Sequence, residues 1–124
     1  MLNPRQLFGK KCEALAAIHL KKNGYKILEQ NFRSKHGEID IIAKDKDALV
    51  FIEVKARRSS QFGSPKLAIT PKKQRKISMV ALYYLKTTRQ SRSKARFDVV
   101  IIGPPGDHPS QVKTIKNAFD LAYT

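Results

Sequence analysis

Apolar and polar residues alternate along two neighbouring stretches of the chain, GEIDIIA and LVFIEVKA. In the first, Glu38, Asp40 and Ile42 fall on one side and Ile39, Ile41 and Ala43 on the other. In the second, Phe51, Glu53 and Lys55 oppose Val50, Ile52, Val54 and Ala56. A period of two marks a strand. Lys46 and Asp47 lie between the two stretches and predict a hairpin with a two-residue loop, although Lys-Asp is a poor type I′ turn. That register pairs Asp45 with Ala48 and, counting back, Asp40 with Glu53. Directly opposed residues have Cβ atoms about 4.5–5.5 Å apart. Two carboxylates are therefore expected to meet inside runs that otherwise read as buried. Lys55 follows on the same face, about 6.5–7 Å further along the strand.

The rest of the pattern surrounds this hairpin. Asn3-Pro4 is a helix start, a capping side chain followed by proline at the first turn. The helix is expected to run to about Lys22, where Asn23-Gly24 ends it. Leu7, Phe8, Leu15 and Ile18 are its expected core stripe, with Glu13 on the edge of that stripe. Gly9, four residues before Glu13, costs about 1 kcal/mol relative to alanine inside a helix, which the close approach of a backbone or a ligand would explain. Residues 25–32 form a first strand packed through Tyr25, Ile27 and Leu28, and 33–36 a polar turn. The composition of 58–65 is that of a loop, and it carries Arg58 and Phe62. Thr70-Pro71 starts a second helix, in which Ile77, Val80, Ala81, Tyr84 and Leu85 recur at helical spacing and face the sheet. Gln74 shares that inward face and is expected to meet Lys55 or its water, because an inward amide needs partners. Residues 96–102 form a fourth strand, at a distance from the third that suits a βαβ crossover. A turn-rich stretch follows, then a short edge strand at 112–115 and a closing segment at 117–123. With no internal repeat, this describes a single α/β domain spanning residues 1–124.

Composition narrows the class. A chain of 124 residues suffices for one core. No apolar run is long enough to span a membrane and no signal-peptide core is visible, so the expectation is a soluble cytoplasmic protein. Cys12 is the single cysteine, which excludes an internal disulfide and fits a reducing compartment. It reads as a small buried residue rather than a nucleophile. His19, His36 and His108 share no ligand spacing.

Charge changes the picture more. Lysine and arginine number 25 against 10 acids, a net charge of +15, which points to a polyanionic partner. A membrane surface is disfavoured, because no helix has the basic and aromatic amphipathic pattern of an interfacial anchor. Lys72, Lys73, Arg75 and Lys76 crowd the first turns of the second helix. Cations there oppose the macrodipole unless an anion binds, and a nucleic-acid phosphate is suitable. Together with Arg57 and Arg58 they are the expected nucleic-acid contacts.

Clustered acids are out of place in a protein that only binds polyanions. Asp40 and Glu53, with the Val54 carbonyl, have the donor chemistry that Mg²⁺ prefers, and Mn²⁺ is the alternative ion. Glu13 would complete such a site directly, through water, or at a second metal. Lys55 would orient or help deprotonate an attacking water, or stabilise developing charge, and Gln74 would stand behind it. This is the equipment of phosphodiester hydrolysis.

An acid, a spacer, then E-x-K on the next strand resembles the PD-(D/E)XK nuclease superfamily. More closely, GKKCEALAAIHLKKNGYKIL, NFRSKHGEIDIIAKD, LVFIEVKAR, the helix at 72–85, RFDVV and the terminal NAF resemble the YraN-like family of predicted endonucleases, themselves similar to archaeal Holliday-junction resolvases. The resemblance covers almost the whole chain. It implies a restriction-endonuclease-like core in the order α-β-β-β-α-β-β, a mixed sheet flanked by helices. It also implies a Mg²⁺-dependent endonuclease acting on DNA, with branched DNA one candidate substrate, and the homodimers that such resolvases form. Carried onto this chain, the site acids are Glu13, Asp40 and Glu53, the catalytic lysine is Lys55, and Glu38 is a secondary acid. Two departures stand out: Ile39 replaces the nominal proline before Asp40, and Cys12 precedes Glu13 where relatives often carry glycine. The alternative reading is a non-catalytic nucleic-acid-binding module, or an adaptor, that keeps the fold.

Overall fold

Helix α1 (Pro4–Lys22) begins as its sequence demands. The Asn3 side chain accepts from the Gln6 amide, and the Gln6 side chain accepts in return from the Asn3 amide. The computed structural model describes residues 1–57, 69–103 and 111–121. After α1 come β1 (Lys26–Ser34), β2 (Gly37–Asp45), β3 (Ala48–Ala56), α2 (Pro71–Thr87), β4 (Lys94–Ile102) and β5 (Val112–Phe119). This is the expected element order, with β1 reaching Ser34 and β5 extending to Phe119 rather than stopping at residue 115. Arg58, Phe62 and His108 lie outside the described residues.

The five strands form one sheet whose spatial order is the chain order, β1-β2-β3-β4-β5. All pairings are antiparallel except β3 with β4, which are parallel. Parallel neighbours need a crossover, and α2 lies within it. The domain is thus α/β, a mixed sheet with two helices. No helix among the described residues is long and apolar enough to cross a membrane.

Each helix covers its own core. Ile77, Val80, Ala81, Tyr84 and Leu85 of α2 pack on Ile39, Ile42, Phe51, Phe97 and Val99. Aromatic rings knit this side: Phe32 meets Tyr84 edge-on at 5.1 Å, and Phe97 stacks on Phe119 at 4.7 Å. Under α1, Cys12, Ala16, Ala17 and Leu20 pack on Ile41, Val50, Ile52, Val100 and Ile102. The expected α1 stripe is thereby corrected. Leu7, Phe8 and Ile18 are exposed, Leu15 is only partly buried, and small residues make the contact with the sheet. Leu28, expected to pack, is also exposed.

The hairpin register is the counted one, from Asp45 opposite Ala48 to Ile41 opposite Ile52. Strict alternation in β2 nevertheless breaks at Asp40. Ile39 joins the α2 core while Ile41 joins the α1 core. Asn31, flanked by the pairs Gln30–Ile41 and Phe32–Ile39, holds φ at +54°, a left-handed conformation that asparagine tolerates better than most residues. The neighbouring strands therefore change face together at this point.

Candidate active site

The switch of face opens the sheet. Described pairing between β2 and β3 ends at Ile41–Ile52, one step before Asp40 and Glu53. There the Val54 amide donates to Asp40 Oδ2 at 2.8 Å, so a side-chain carboxylate takes the place of a backbone acceptor. A cleft of about 880 Å³ follows the freed edge of β3. Asp40 and residues 53–57 line it from the sheet, and Arg5, Phe8, Gly9, Cys12 and Glu13 line it from α1.

The structure thus brings Glu13, Asp40, Glu53, Val54, Lys55 and Arg57 to one cleft. The carboxyls of Asp40 and Glu53 lie close enough for each to shift the other. Burial and the neighbouring Asp40 charge push Glu53 up to about 8, against the pull of Lys73 and Lys55. Burial also raises Asp40, partly offset by the Val54 amide, while the Glu38 charge pushes the same way as burial. Glu13 is raised by burial and by Asp40, and its hydrogen bond to the Asn31 side chain opposes this. Glu38 stands at the edge, half-buried and 3.0 Å from Arg33.

Two positions differ from expectation. Gln74 donates its Nε2 to the Ile69 carbonyl at 2.9 Å, at the entrance to α2, and does not line the cleft among the described residues. An amide facing inward at the first turn of a helix finds the preceding backbone before it finds Lys55. Lys73, grouped by sequence with the phosphate-binding cations, has its Nζ 3.9 Å from Glu53 Oε1. Lys72, Arg75 and Lys76 are exposed as expected.

Sequence reasoning missed Asn31, whose only signal was a polar residue inside a strand. It also missed Asp98, which is fully buried on the face of β4 that packs under α1. Asp98 accepts from the Tyr25 hydroxyl at 2.8 Å, from Arg96 Nε at 2.9 Å and from the Asn117 amide at 3.0 Å. Arg96 also reaches Asp45 at 2.6 Å. Asp45 and Arg96 sit at the hairpin-loop end of the sheet, away from Asp40. With every oxygen of Asp98 engaged, the network holds α1's outgoing chain to the sheet.

The donor chemistry suits a hard divalent cation. Among the described residues no group of three or more histidine, cysteine or acidic side chains is already arranged around one point. Two carboxylates with a backbone carbonyl remain adequate, since Mg²⁺ commonly keeps several waters and takes only one or two carboxylates. An acid pair whose carboxyls burial and neighbouring acid charge push up is a further sign of fit, because a dication between them would relieve both effects.

A pH effect follows. A carboxyl whose folded pKa exceeds its unfolded value of about 4.3 binds more protons in the native state. Stability then falls as pH rises between that value and about 8, the value of Glu53. The metal-free protein is expected to melt at a lower temperature near the top of this window than at the bottom, with Glu53→Gln flattening the trend. Melting in a chelator across the window checks this. A flat curve for the parent, or an unchanged slope in Glu53→Gln, would remove the assignment.

Fold and cleft define an α/β domain whose mixed sheet opens at a pair of carboxylates. The chain belongs to a family described as "Uncharacterised protein family UPF0102", whose model matches residues 12–102. A UPF0102 protein of Desulfosudis oleivorans is 54% identical over 120 residues, covering 97% of this chain and 95% of its own. Relatives in Syntrophus aciditrophicus and Geobacter metallireducens are each 51% identical, over 117 and 115 residues, covering 93% of this chain and 90% and 93% of theirs. These names assign no activity. The matched span contains Glu13, Asp40, Glu53 and Lys55 and begins after Arg5, Phe8 and Gly9.

Proposed function

We propose that this protein is a divalent-metal-dependent endonuclease of the PD-(D/E)XK kind that hydrolyses phosphodiester bonds of DNA. The observation that carries the reading is the meeting of Asp40 and Glu53 beside Lys55, in a cleft that also receives Glu13.

Asp40, Glu53 and the Val54 carbonyl would hold the ion, and Glu13 would reach it through the helix wall. Bound there, the ion would polarise the phosphate and acidify its water. The Val54 amide fixes Asp40 by one oxygen and leaves the other for the ion. Lys55 is exposed two residues beyond Glu53, and its ammonium would stabilise the charge that a phosphate oxygen gains. In the reaction water adds to phosphorus, the bond to one bridging oxygen breaks, and that oxygen leaves with a proton. Lys73 Nζ lies 3.9 Å from Glu53 Oε1, and an arriving phosphate would compete with that carboxyl for it.

The deciding experiment is cleavage of duplex, flapped and four-way DNA with Mg²⁺ or Mn²⁺. Cutting that depends on metal supports the reading. If no substrate is cut, the binding-module alternative moves ahead.

Phosphate contacts should dominate affinity, given the charge of +15. Each neutralised phosphate adds about −0.9 to the slope of log K against log salt for duplex DNA. Replacing Lys72 and Lys76 with alanine is expected to flatten that slope by about 2 and leave sequence preference as it was. An unaltered slope in a salt titration would put the DNA on another face.

A further inference from the structure

We infer that Phe8 is a stacking platform for an unpaired base, so that the substrate class is DNA with a single-stranded segment beside the cleaved position. The inference rests on the nuclease reading and narrows its substrate. Its origin is the way α1 sits. The first buried residue of the helix is Cys12, so the turns before it extend beyond the core. A Cβ added to Gly9 would meet nothing within 4 Å. The inner side of those turns is therefore a free-standing wall of the cleft, not part of the packing. Arg5, Phe8, Gly9, Cys12 and Glu13 recur at helical spacing along that wall.

Phe8 is 43% exposed and lines the cleft. A phenyl ring has no polar edge to offer a phosphate. It does offer a face, and every base presents a matching π-face once it leaves the duplex stack. Paired bases are covered by their neighbours and give Phe8 nothing to stack on. The position is apt: Phe8 stands five positions before Glu13, about 7.5 Å along the helix axis, on the order of one nucleotide from that acid. The cations around the wall, Arg5, Lys55 and Arg57, complement a DNA backbone. They also disfavour a second copy of this chain as the occupant, because the chain carries +15.

The test uses the metal-free protein and DNA carrying the fluorescent base 2-aminopurine, placed either in a short unpaired flap or in the same sequence fully paired. The parent is expected to quench the flap probe on binding and to prefer flapped over paired DNA. Phe8→Ala should lose the quenching and reduce that preference about tenfold, consistent with the value of one aromatic–base stack. Phe8→Tyr should restore both. Since Phe8 is exposed, thermal melting should confirm that Phe8→Ala folds. An unchanged preference and unchanged quenching in Phe8→Ala would overturn the inference. So would a parent dimer that Phe8→Ala dissociates in sedimentation, which would make the wall a protein interface. Cleavage is scored separately: a flap probe that is quenched but never cut sinks the nuclease reading alone, and DNA that is cut without quenching sinks the platform alone.

Discussion

Asp40→Asn is expected to abolish cleavage, weaken Mg²⁺ binding and leave DNA affinity equal or higher. That is the expected outcome if Asp40 and Glu53 share one ion. The loss should be a thousandfold or more, about 4 kcal/mol of transition-state stabilisation. DNA affinity does not fall because a negative charge near the phosphate has gone. Lys55→Met should also stop cleavage, yet Mg²⁺ binding survives, since an ammonium is no ligand. Calorimetric titration of Mg²⁺, with cleavage and DNA binding for each variant, separates the two roles. If Lys55→Met lost the metal as fully as Asp40→Asn, or if both cut like the parent, the assignment would be wrong.

The largest effect on stability is expected far from the cleft. Asp98 is fully buried, and its removal leaves the Tyr25 hydroxyl and the Asn117 amide without their acceptor and Arg96 with Asp45 as its one remaining carboxylate beside the Tyr25 hydroxyl. Breaking one side of a buried ion pair costs about 3–5 kcal/mol. Domains of this kind are stable by only about 5–15 kcal/mol. Asp98→Ala should thus bring the protein near its unfolding threshold, and Asp98→Asn, which keeps an acceptor, should do less harm. Urea unfolding at neutral pH measures both. A cost under about 1 kcal/mol for the alanine variant would mean that the network is solvated rather than structural.

Why was the acid pair legible in the sequence and the buried aspartate not? Asp40 and Glu53 are joined by a two-residue loop, so counting from the turn fixes their register. Asp98 bears the same signature, an acid inside a β-branched run, but its partner Tyr25 is 73 residues away and no local count reaches it. The division of Ile39 and Ile41 between two cores falls opposite one left-handed residue, Asn31, which a period-two pattern cannot foresee. In α1 the pattern misled for a different reason. Hydrophobicity alone favours Leu7, Phe8 and Ile18, whereas Ala16 and Ala17 let the helix lie close on the sheet. Gln74 was placed on the correct side of its helix, but a nearby carbonyl claimed it. Element order, crossover and caps were all readable, because each follows from local chemistry.

The match between spatial and chain order in the sheet bears on how the molecule assembles. Contacts between near neighbours form before distant ones, since closing a longer loop costs more entropy. The meander of β1, β2 and β3 is therefore expected to form early, and it already holds Asp40 and Glu53. Glu13 leaves the ribosome first of all, but α1 packs on Val100 and Ile102 of β4, beyond the crossover. Its seat, which Ile41, Val50 and Ile52 of the meander also line, is complete only with them. A nascent chain that ends before β4 would carry Asp40 and Glu53 on adjoining strands under a helix only partly seated, so the cleft would take its final shape with the last strands.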